Sequence, residues 1–234
     1  MRRVRSSFVL ALLLAVAAVS AVPAAGGRHL PRYPGEMATS AAPPFRGHAG
    51  PIDAATRERM IGVSWHRGCP VALRDLSLLR VRHWGFDGRV HRGRLVVHRD
   101  HARGMVGVMR TLYRLRFPIR QMRLVDAYGA DDHLSMAADN TSAFNCRFVA
   151  GTDDWSEHAY GRAIDVNPVE NPYVTDSGYV SPPAGGPYAD RSRRVRGLIH
   201  HGGPVVVAFA AAGWEWGGNW SGTKDFQHFS LRGN

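Results

Sequence analysis

Ser156-Glu157-His158-Ala159-Tyr160-Gly161-Arg162-Ala163-Ile164-Asp165-Val166-Asn167 is the stretch around which this chain of 234 residues is organised. His158 and Asp165 are seven residues apart, an odd number, so on one straight strand their side chains would face opposite ways. Gly161 lies between them and frees the backbone to turn. After that turn Ala163 and Asp165 share one face of a short strand while Ile164 and Val166 share the other. The strand then buries the isoleucine and presents the carboxylate, and His158 meets it from a loop. A distant segment, Asp225-Phe226-Gln227-His228, adds a third candidate donor and a nearby acid. Three protein ligands drawn from His and Asp or Glu, with one position left open, are what a catalytic zinc ion requires. An unligated acid close by is what a hydrolytic site uses as general base.

Outward from these segments the chain reads as short strands and two helices. Residues 78–84 form a strand, Phe86-Asp87-Gly88 a turn, and Leu95-Val96-Val97 the return of a hairpin. Asp100 reads as an N-cap, and Met105, Val108, Met109, Leu112 and Leu115 follow at helical spacing until Pro118. Residues 119–128 and 144–149 read as strands, with a loop and one helical turn over 131–143. Pro204 opens a second helix carrying Val205, Val206, Ala208, Phe209 and Ala212, and Gly213 ends it. Residues 226–231 are the last strand. Strands mixed with segregated helices predict an α+β domain, a small, mostly antiparallel sheet with flanking helices.

The N-terminus has a different character. Arg2, Arg3 and Arg5, an apolar run over residues 8–18, and small residues up to Ala21 or Ala25 read as a secretory signal peptide over 1–25. Residues 26–59, rich in Pro, Gly, Ala and Ser, read as a linker, which leaves 60–234 as one domain. The expected protein is secreted and cell-wall associated, with no membrane span once the signal is cleaved. Cys69 and Cys146 are the two cysteines. In an oxidising compartment they read as a disulfide, which would stabilise the fold by about 4 kcal/mol. A competing reading makes Cys146 a nucleophile partnered by His158 and Asp165. The formal charge is +11, and Lys224 is the only lysine. Such a balance suits nucleic acid, an anionic membrane or an acidic polymer; export favours an anionic cell-wall polymer and argues against nucleic acid. Biased codon usage would produce the same arginine count.

Ser156, His158, Gly161, Ala163 and Asp165, followed by Asp225 and His228, form the pattern Ser-x-His-x-x-Gly-x-Ala-x-Asp and Asp-x-x-His. This pattern resembles the zinc D-alanyl-D-alanine carboxypeptidase family, which includes L-alanyl-D-glutamate endopeptidases, over roughly residues 122–230. The resemblance implies the family's hedgehog-like α+β fold, Zn2+ held by His158, Asp165 and His228, and Asp225 as catalytic acid or base where many members have Glu. It also implies peptidoglycan peptides as substrate. Many relatives carry Tyr-Arg-Ser on the strand before the motif; here Tyr128-Gly129-Ala130 has no arginine. Arg147 is the candidate replacement, donating to the substrate or its developing oxyanion, against a structural pairing with Asp126 or Asp154.

Tyr128, Ser156, Trp214 and Trp216 are candidate substrate contacts. The alternatives are a turn cap for Ser156 and core packing for the tryptophans, Trp220 of the same Gly-rich stretch included. His-Glu-x-x-His and Gly-x-Ser-x-Gly are both missing from the sequence. Two functions follow: a monomeric secreted zinc peptidase acting on cell-wall peptides, or a wall-binding protein that keeps the metal without turnover. Asp225 favours the first, because a purely structural zinc is closed by four ligands and needs no free acid.

Overall fold

The computed structural model describes residues 43–232. The expected signal peptide and the first part of the expected linker lie outside the described residues. The rest of that linker, 43–59, is folded, ahead of the boundary expected at residue 60. Gly47–Pro51 is a strand, β1, and Ala54–Met60 a helix, α1, capped by Asp53, whose carboxylate accepts the Thr56 N–H at 2.8 Å. β1 has little apolar sequence, but it pairs antiparallel with Leu76–Trp84 (β2), and backbone bonds need no particular side chain.

β2 and Val90–His98 (β3) form the expected hairpin, paired from Leu76 and His98 to Trp84 and Val90. Leu79, Val81, Leu95 and Val97 of one face pack on Arg99–Arg114 (α2), whose stripe of Met105, Val108, Met109 and Leu112 is buried. His98, rather than Asp100, is the N-cap, its ring Nδ1 accepting from the Asp100 N–H. Leu76, Leu78 and Val96 of the other face join a second cluster with Met60, Leu124 and Phe144. Beside it Cys69 and Cys146 are disulfide-bonded, Cα to Cα 5.9 Å, which removes Cys146 as a nucleophile.

Two expected strands are corrected. Of 119–128 only Gln121–Met122 (β4) is extended and paired; Val125–Tyr128 then curls into a 3-10 turn. Asp132–Ala137 (α3) is the expected helical turn, and Asn140–Thr141 (β5) lies parallel to β4. Residues 144–149 form no strand because successive N–H groups go to different parts of the chain. Phe144 donates to Val96 O at 3.0 Å, Asn145 to His158 O at 3.2 Å and Cys146 to Ser64 O at 3.0 Å.

The remaining elements are Ala163–Asp165 (β6), Tyr173–Val174 (β7), Val180–Ser181 (β8), Pro204–Ala210 (α4), Glu215–Trp216 (β9), Lys224–Asp225 (β10) and His228–Ser230 (β11). They make two antiparallel sheets, ordered β6-β11-β9 and β10-β7-β8. Pro204 does open α4, and Phe209 from it stacks on Phe229 of β11 with ring centroids 3.8 Å apart. The architecture is mixed α+β, with small sheets that are mostly antiparallel and few helices. Among the described residues no helix is long and apolar enough to cross a membrane.

Candidate metal centre

Each donor is delivered by a different backbone device. Ser156 caps the 3-10 turn Glu157–Tyr160 by accepting the His158 N–H at 3.2 Å, and Gly161 ends that turn in the left-handed region at φ +66°. A Cβ on Gly161 would stand 2.5 Å from the backbone nitrogen of His98, so glycine is required there twice over. The close approach lets His98 N–H donate to Gly161 O at 2.8 Å, tying the turn to the end of β3. Asp165 ends β6 and His228 begins β11, directly opposite it.

The side chains converge. His158 Nε2 is 3.1 Å from Asp165 Oδ2, His228 Nδ1 is 3.1 Å from Asp165 Oδ1, and the two nitrogens are 3.3 Å apart. Metal–ligand bonds of about 2.0–2.1 Å in a tetrahedron put neighbouring ligand atoms about 3.3 Å apart. The two nitrogens therefore stand as far apart as two corners of such a site, with one oxygen of the carboxylate beside each, and one donor atom from each residue lies within 4.8 Å of the others. All three residues are buried. His158 Nδ1 faces the Ala143 carbonyl at 2.5 Å, so in the tautomer that donates this bond Nε2 turns its lone pair to the centre. A divalent metal fits this N2O donor set, with the fourth position open.

Electrostatics support the same point. Burial pushes the Asp165 carboxyl up, but His158 and His228 outweigh it and hold it far below the usual carboxylate range. Burial pushes His158 down, and Asp165 reverses this and raises it. Asp225 is on β10, where Gly217 makes room for it: a Cβ there would lie 2.6 Å from Asp225 O. Its carboxyl is pushed up to about 6, chiefly by burial. Its Oδ1 is buried and without a hydrogen-bond partner, although the residue as a whole is partly exposed.

The other expected site residues divide. Arg147 pairs with Asp132 at 2.7 Å, not with Asp126 or Asp154, and its Nε is buried without a partner. Its charge nevertheless acts on His158. Ser156 is a buried turn cap. Tyr128 donates to Gln121 Oε1 at 3.0 Å and lies under Arg123. Trp214 and Trp216 are core residues, packed on His101 and Phe209 and on Phe226 and Phe229, and they bound a cavity of about 290 Å3 that contains none of the donors. Trp220 is the tryptophan beside the centre, 5.6 Å from His228 between ring centroids, with its indole nitrogen buried and unpartnered. Nothing in the sequence separates it from its two neighbours.

Residues 150–231 match the model of a family described as D-alanyl-D-alanine carboxypeptidase, a shorter span than the expected 122–230. No curated protein and no solved structure matches the chain. The matched span holds the three donors, Gly161, Asp225 and Trp220, and over it the chain is similar to that family.

Proposed function

We propose that the chain is an exported zinc peptidase that hydrolyses bonds in peptidoglycan stem peptides, as a D-Ala-D-Ala carboxypeptidase or an L-Ala-D-Glu endopeptidase, on a hedgehog-like domain. One observation carries this reading: one donor atom from each of His158, Asp165 and His228 lies within 4.8 Å of the others, while Asp225, its Oδ1 buried and unpartnered, stays outside that set. A bound zinc ion would supply a Lewis acid for the scissile carbonyl and a lowered pKa for a water. Asp225 takes the proton of the attacking water and later gives it to the leaving amine. Arg147, with a free Nε–H, donates to the developing oxyanion or to a substrate carboxylate, while Asp132 holds its other end. Trp220 walls the cleft beside His228. The family match and the signal-like N-terminus support a wall substrate met outside the cell.

The test is incubation of the purified protein with peptidoglycan fragments, with and without a chelator, and identification of products by mass. Cleavage that stops with the chelator and returns with zinc is the expected result. Bound zinc with no bond cut in any fragment would leave the non-catalytic wall-binding reading in its place.

A further inference from the structure

We propose that the part of the β1-β2-β3 sheet face opposite α2 that lies beyond Leu78 and Val96, uncovered by the second cluster, docks a linear phosphodiester polyanion, a polyol-phosphate polymer of the cell wall. The choice of polymer rests on the wall-peptidase reading; the docking surface does not. The register places Arg80 directly opposite Arg94, Arg82 opposite Arg92, and His48 opposite Arg80. Arg46 flanks Arg82, whose N–H donates to its carbonyl at 2.8 Å. Strand alternation puts all six on the face turned away from Leu79, Val81 and Leu95, which pack on α2. The result is a grid of two rows, His48-Arg80-Arg94 and Arg46-Arg82-Arg92.

The grid has little internal compensation. Asp53 pairs with Arg80, and Arg82 donates to Pro44 O at 3.2 Å. Arg92 and Arg94 are exposed and, among the described residues, have no hydrogen-bond or ion-pair partner. Like charges directly opposite one another destabilise a sheet, so the fold alone gives no reason for these pairs. Biased codon usage would raise the number of arginines, but it would not align them across strands on one face. Guanidinium forks bind phosphate in a bidentate way. Two-residue steps along a strand repeat them about every 6.7 Å, an interval suited to a chain with one phosphate per small polyol unit.

The surface continues over the edge of β1 into a groove of about 760 Å3 that also takes in Arg110 and Arg114 of α2. It is also set apart from the metal centre. The hairpin touches that centre at His98, through Gly161, whereas Arg94 and Arg92 are four and six residues further along β3. At about 3.3 Å per residue that is about 13 and 20 Å. A polymer held on the grid leaves the donors open to a peptide.

The experiment measures binding of the full chain to polyglycerol phosphate over a salt series, beside neutral dextran, a polyuronate and single-stranded DNA. The wild type is expected to bind polyglycerol phosphate most tightly, with affinity falling steeply as salt rises, and to ignore dextran. Arg92→Glu with Arg94→Glu should weaken binding at least ~10-fold, and Arg92→Gln with Arg94→Gln should reduce the slope of log K against log salt by roughly 1.4. Neither variant should melt below the wild type, since each removes like-charge pairs, and both should keep the wild-type rate on a short soluble peptide. Unchanged binding in both variants would overturn the proposal, and tighter binding of DNA or the polyuronate would overturn the chosen occupant. Because binding is read apart from cleavage, its failure leaves the peptidase reading standing, and the reverse also holds.

Discussion

His228 stands across from Asp165 in a pair that exchanges no backbone hydrogen bonds. The Asp165 N–H and carbonyl go to Ser142 at 3.0 and 3.1 Å, while the next N–H, of Val166, goes to Gln227 O at 3.0 Å. In an antiparallel ladder such pairs bring side chains closest together, which is why the carboxylate meets the imidazole at 3.1 Å. Asp165→Asn keeps the shape of the side chain and removes the only charge in the donor set. Metal affinity is expected to fall at least ~100-fold, read as metal content after dialysis against a competing chelator. A variant that retains one metal per chain would remove Asp165 from the ligand set.

Two glycines separate folding of the site from its chemistry. Gly161→Ala meets both a left-handed φ and the His98 backbone. The expected destabilisation is about 2–5 kcal/mol, combining strain of about 1–2 with overpacking of about 1–3, and metal binding should weaken with it. Gly217→Ala instead presses on Asp225 O at 2.6 Å, and on no donor. It should retain metal and lower kcat. Equal loss of metal in both variants would show that the two positions act through a common collapse.

These glycines also mark what was legible in the sequence. Ser156, His158, Gly161 and Asp165 lie within ten residues, and their geometry is set by a cap, a left-handed turn and strand alternation, all local rules. The α2 stripe was readable for the same reason. The segment 144–149 was misread because its apolar residues pack while its N–H groups scatter among Val96, His158 and Ser64, partners that only the tertiary fold brings near. β1 was missed in the opposite way: its sequence looks like linker, yet the backbone pairs with β2. Trp214, Trp216 and Trp220 have equivalent settings in sequence, and only packing against Phe209 and Phe229 sends the first two into the core.

Arg147 and Asp132 make a pair whose members can be separated by kinetics. If the guanidinium reaches the reacting peptide, Arg147→Ala should lower kcat/KM by about 100–1000-fold. Asp132→Asn, which removes only the 2.7 Å partner, should cost much less. Melting temperatures and metal content should stay near wild type in both. Equal losses from the two substitutions would assign Arg147 to structure alone.

Asp225 should show opposite effects on stability and on turnover. Burial raises its carboxyl from 3.8 to about 6, so the folded metal-free protein disfavours the ionised form. A folded pKa above the unfolded one contributes stability that is complete below pH 3.8 and is lost as pH rises through about 6. The shift corresponds to at most about 3 kcal/mol, and partial exposure of the residue reduces this to about 1–2 kcal/mol. Metal-free Asp225→Asn should therefore melt higher than metal-free wild type at pH 7.5, with the gap closing as pH is lowered towards 4. Catalysis runs the other way, because the base must be ionised. Wild-type kcat/KM should fall on the acid side, at a pH pulled below 6 by a bound cation, and the asparagine variant should be about 100–10,000-fold slower while holding its metal. Lower stability together with lost metal in that variant would make Asp225 a ligand rather than the base.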